Sequence, residues 1–61
     1  MNTDNIQSLE QAIQFAIERE TEAEQMYQKL IRLAEDPKAK ELFQELRDME
    51  AQHRQNLQPL M

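Results

Sequence analysis

The sequence predicts an all-α chain, an antiparallel two-helix hairpin that dimerises into a four-helix bundle. Three observations carry this. Glycine is absent, proline stands only at 37 and 59, and aromatic residues are few, so strands and the tight turns between them lack their usual residues. Apolar residues recur at alternating steps of four and three along two long stretches, the period of one helix face. Between those stretches stands Asp36-Pro37. The residue before proline is pushed out of the α region, while proline is preorganised for the first position of a helix. A chain of 61 residues forms at most one domain, and two helices bury too little surface to be stable without a metal, a disulfide or a partner subunit. Cysteine is absent, which removes the disulfide and leaves metal and self-association.

Taken in order, residues 1–7 have no sustained pattern, although Ile6 is placed to fold back as a hydrophobic staple. Ser8-Leu9-Glu10-Gln11 fits a capping box, so the first helix is expected over about 9–35. Its seam reads Leu9, Ile13, Ala16, Glu20, Ala23, Tyr27, Leu30 and Ala34, with one carboxylate interrupting it. Ile17, Met26, Ile31 and Leu33 widen the apolar face, as suits a helix in a bundle. Asp36 is the expected N-cap of a second helix over about 37–57, which should fray before Pro59. The seam of that helix is Ala39, Leu42, Phe43, Leu46, Met49, Glu50, His53 and Leu57, and it can extend to Leu60. Met26 and Met49 read as core filler, Tyr27 as packing, and Arg19, Arg47 and Arg54 as solvated surface with weak pairs along their own helices.

The chemistry centres on Glu50-Ala51-Gln52-His53. A glutamate and a histidine three residues apart leave the same side of a helix, where a carboxylate oxygen and an imidazole nitrogen can hold one cation. Leu46, Glu50, His53 and Leu57 step by four, three and four, so both polar residues lie on the apolar stripe. Spacing alone does not separate a ligand pair from a polar pair that merely sets register. A third misplaced acid, Glu20, tips the balance. With a rise of ~1.5 Å per residue, Glu20 lies roughly 21 Å from the turn, and Glu50 and His53 roughly 20 and 24 Å from it. Glu24 falls about one helical turn too near the loop. The expected metal ligands are therefore Glu20, Glu50 and His53. A twofold pairing of hairpins would join two such sets, four carboxylates and two imidazoles, around two cations whose charge relieves the repulsion among the acids. Oxygen-rich ligands with imidazole favour iron or manganese, with zinc as another occupant.

These residues resemble a known set. In ferritin-like di-iron proteins two helices each give one glutamate and two others each give Glu-x-x-His. The stretch Phe15-Ala16-Ile17-Glu18-Arg19-Glu20 with Ala23 and Tyr27, then Asp36-Pro37, Glu41-Leu42-Phe43-Gln44-Glu45-Leu46 and Glu50-Ala51-Gln52-His53, is similar to one half of a rubrerythrin-type domain. The resemblance covers about residues 9–57 and implies Glu20 as a mainly terminal ligand, Glu50 as a bridging carboxylate and His53 as a terminal nitrogen donor. It implies two Fe ions per dimer, with Mn or Zn as substitutes. The implied activity is that of a ferroxidase or an O2- or peroxide-reducing centre, with no catalytic residue beyond the ligands. Two departures stand out. The family usually carries both halves in one chain, so here a homodimer or higher homo-oligomer is expected to complete the site, as in the similar two-helix encapsulated ferritins. A rubrerythrin's rubredoxin-like centre needs paired Cys-x-x-Cys motifs, and this sequence has no cysteine.

Composition narrows the remaining classes. Seven Lys plus Arg against twelve Asp plus Glu give a net charge of -5, which repels nucleic acid and anionic membrane. No apolar run reaches the ~18 residues of a membrane span, and the polar start does not read as a secretory signal, so a cytoplasmic place is expected. The encapsulated-ferritin likeness extends that to the inside of a protein shell. Two other readings use the same pattern: a metal-free helical hairpin that self-associates or binds a partner helix, and a zinc site without redox turnover.

Overall fold

The computed structural model describes residues 8–61 and consists of two helices joined by a short link. The Ile6 staple lies outside the described residues. α1 spans Leu9–Leu33 and α2 spans Pro37–Leu57; a single 3-10 turn, Gln58–Leu60, follows. No strand occurs among the described residues. Ser8 caps α1 as expected, its hydroxyl accepting the Gln11 amide at 3.1 Å. Asp36 caps α2, with Oδ1 accepting the Lys38 amide at 3.1 Å.

α1 stops at Leu33, two residues before the expected end at 35. Ala34 is already extended at φ -71° and ψ 131°, and its N–H donates to the Leu30 carbonyl at 2.9 Å. Asp36 is extended too, at φ -76° and ψ 123°, as both an N-cap and a residue before proline must be. The chain reverses between them. Pro59 does not fray the far end; Gln58–Leu60 tightens into the 3-10 turn, where a proline in the first positions loses no hydrogen bond.

The helices run antiparallel. Glu20 and Glu24, farther from the link on α1, meet His53 and Arg54, farther from it on α2, while Tyr27 and Gln28, nearer the link, meet Phe43 and Arg47. Tyr27 and Phe43 stack with centroids 6.5 Å apart and planes at 25°, so Tyr27 packs across the helix interface. Ile13 and Ile31, the buried residues among those described, lie on one line with Ile17, Glu20, Glu24 and Tyr27. That line also steps by four and three. The covered stripe of α1 is thus rotated from the expected seam, sharing Ile13, Glu20 and Tyr27 with it, and two carboxylates interrupt it rather than one.

Two helices side by side make a single layer, and each keeps an apolar flank open. On α2 the covered residues are Ala39, Phe43, Leu46, Arg47, Glu50, Ala51, Arg54 and Leu57, while Leu42, Met49 and Leu60 stand outside. Met26 and Met49 are therefore not filler within the hairpin, since each is about half exposed. On α1, Phe15, Met26 and Leu33 are likewise exposed.

Candidate metal centre

Glu20 projects from the middle of α1, and Glu50 and His53 project one turn apart from α2. His53 Nδ1 lies 3.2 Å from Glu20 Oε2 and 3.2 Å from Glu50 Oε1. One ligand atom from each residue falls within 4.8 Å of the other two. Helix geometry explains the convergence. Side chains lean toward the N-terminus of their own helix, so α1 side chains lean away from the link and α2 side chains lean toward it. Glu20 and His53 therefore close on each other across the interface, with Glu50 one turn above His53.

Burial is graded within the cluster. The side chains of Glu20 and Glu50 are 23% and 24% exposed, whereas that of His53 is 52% exposed. The expectation of a carboxylate buried on the stripe is met only halfway, because one layer of helix covers the acids from one side. A protonated Nδ1 donates toward both carboxylates, and that proton sits where a cation would be held. The Glu20 carboxyl is raised above the ordinary glutamate value, first by a hydrogen bond with Glu50, then by partial burial and the Glu50 charge, with His53 pulling the other way. Two carboxylates that face an imidazole form a donor set suited to a divalent cation of hard or borderline character. The residues fit such a group.

The rubrerythrin family model matches residues 2–61. The chain belongs to the rubrerythrin family. No curated protein and no solved structure is significantly similar to it. Rubrerythrin-family proteins typically bind iron, and Glu20, Glu50 and His53 are the residues here that could hold it.

Beside this rubrerythrin-type cluster lies a pair that the pattern of the sequence did not single out. Arg54 Nε donates to Glu24 Oε2, and Arg54 Nη2 donates to Glu24 Oε1 at 3.4 Å. Both side chains are about three-quarters buried. Arg54 is thus not solvated surface with a weak pair along its own helix; it bridges the hairpin. Glu24 stays outside the converging group, and its carboxylate is taken up by Arg54. The sequence held a partial signal, since Glu24 continues the line Ile13, Ile17, Glu20, Tyr27 and Arg54 stands one turn beyond Glu50, but neither placement names the other as its partner. Arg47 also crosses, its Nη1 donating to Gln28 Oε1 at 3.1 Å, while it pairs with the adjacent Asp48. Arg19 keeps to its own helix, lying 3.5 Å from Glu22 and 4.9 Å over the Phe15 ring.

Proposed function

We propose that two hairpins pair about a twofold axis into a ferritin-like four-helix bundle, a di-iron carboxylate protein whose metal centre is completed between chains. The observation that carries this is the coincidence of two unfinished features on one face. Exposed Leu42, Met49 and His53 share one stripe of α2 with the half-covered Leu46 and Leu57, so the exposed side of the metal cluster opens beside the uncovered apolar flank. Covering the flank adds a second donor set. Family membership supports the same arrangement. Burying the exposed halves of Leu42 and Met49 contributes about 1 kcal/mol each, and an iron pair adds the staple a short hairpin needs.

Within such a centre the chain's own groups have distinct tasks. Glu20 and Glu50 supply the negative charge that draws and holds divalent cations, and pairing with cations ends their mutual repulsion. His53 supplies a neutral nitrogen, and the proton on Nδ1 leaves as the cation takes its place. The apolar flank excludes bulk water once covered. A bound Fe(II) pair supplies two electrons for the reduction of O2 or peroxide, the chemistry of a ferroxidase or peroxide-reducing protein in iron or oxidative-stress handling. Mn or Zn are the substitutes the donor set would accept. The reading keeps the cytoplasmic place expected from the sequence; no helix among the described residues is long and apolar enough to cross a membrane.

Metal binding by single-site variants tests the assignment. Glu20→Ala and His53→Ala are expected to abolish stoichiometric Fe(II) or Co(II) binding, whereas Leu46→Ala should weaken assembly first. Unchanged metal stoichiometry in both ligand variants would leave the cluster as a polar layer in a metal-free self-associating hairpin.

A further inference from the structure

The Glu24–Arg54 pair flanks the cluster on both helices. Glu24 is four residues from Glu20, which puts the two Cβ atoms about 6 Å apart on one face of α1. A free Glu24 would be a fourth donor within reach of any cation held there. Arg54 is likewise four residues from Glu50, in the order that favours a Glu-to-Arg ion pair along a helix. A free Arg54 would occupy a ligand carboxylate. Neither happens in the structure. The guanidinium spends Nε and Nη2 on Glu24, and its Nη1 donates to Gln58 Oε1 at 3.4 Å. Glu50 is left to His53 at 3.2 Å, and Glu24 is absent from the converging group.

We propose that Glu24 and Arg54 are paired positioning residues that fix the ligand count of the centre: Arg54 withholds Glu24 from the cation, and Glu24 withholds Arg54 from Glu50. Each masks a charge that would otherwise change the donor set. The consequence is a site with two carboxylates and one imidazole per chain, which a third carboxylate would shift toward harder ions that prefer more oxygens. The inference rests on the metal-centre reading above. It assigns to charges outside the ligand set the choice of which cations the set accepts.

The two halves of the pair predict opposite effects, which separates positioning from mere support of the fold. Metal-free full-length chain is titrated with Mn(II) and with Zn(II), for the wild type, Glu24→Gln, Arg54→Met and the double variant, with helix content and apo thermal stability checked alongside. Glu24→Gln is expected to weaken binding of both metals about tenfold or more, the range typical of lost outer partners, because Arg54 turns to Glu50. Arg54→Met is expected to raise Mn(II) affinity relative to Zn(II), because Glu24 joins the donors. The double variant should return both affinities toward wild type. A purely structural pair would instead lower apo stability in all variants while leaving the Mn(II)-to-Zn(II) ratio fixed, and that result overturns the inference. Should Arg54→Met fail to fold, the comparison of Glu24→Gln with the double variant decides the matter through recovery of affinity. A wild type that binds neither metal overturns the metal-centre reading itself; a wild type that binds, with variants unchanged, overturns only the role of the pair.

Discussion

Glu20 is held between two neighbours that pull its proton in opposite directions, and the Glu50 side prevails. Because the folded-state value is raised, folded chains hold more protons than unfolded ones between the ordinary glutamate value and the raised one. Stability from this group is present below that window and is lost as pH rises through it. The metal-free protein is therefore expected to lose thermal stability over that rise, with Glu20→Gln losing less; equal slopes of Tm against pH in the two proteins would contradict the coupling. Cation binding should reverse the trend, since it requires the ionised carboxylates. The convergence of Glu20, Glu50 and His53 was legible in the sequence because polar side chains on an apolar stripe conflict with the pattern around them. Glu24 and Arg54 were not, since each alone looks like an ordinary helix-surface charge. Their meeting depends on the opposite lean of side chains on antiparallel helices, which no spacing along one helix displays.

Each helix is started by a side-chain oxygen on a backbone amide, Ser8 for α1 and Asp36 for α2. The Asp36 cap has the larger role, because it fixes the link as well as the first turn of α2. Asp36→Ala is expected to cost about 1 kcal/mol of unfolding free energy, and Asp36→Ser much less, in urea titrations at matched protein concentration. Equal losses for the two variants would mean that the carboxylate acts otherwise than as a cap. These start signals, with Pro37, made the hairpin and the α2 boundaries readable from residues alone. The facing line of α1 was not readable to the same degree. The runs Leu9, Ile13, Ala16, Glu20 and Ile13, Ile17, Glu20, Glu24 both satisfy a four-three alternation and share members. Which of them faces α2 most directly is set by the second helix; Ala16, Ala23 and Leu30 of the other run are half-covered at its edge, and Leu9, Phe15, Met26 and Leu33 stay exposed.

At the scale of the molecule, a single helix layer with few buried residues among those described and a half-exposed Glu/His cluster is what the proposed dimer requires of each of its halves. The exposed apolar side chains and the exposed side of His53 share a face, so assembly and metal loading are expected to be one event. Net charge of -5 opposes that assembly and supplies the field that attracts cations, and metal bound at the interface offsets the repulsion. The central claim is that the chain binds iron between two copies of itself. Its most direct test is anaerobic Fe(II) titration of the metal-free protein with mass measured under native conditions, followed by admission of air. Two irons per dimer, then oxygen uptake with growth of a ferric absorption band, is the result expected. A chain that takes up no iron, whether as monomer or as dimer, would contradict the account.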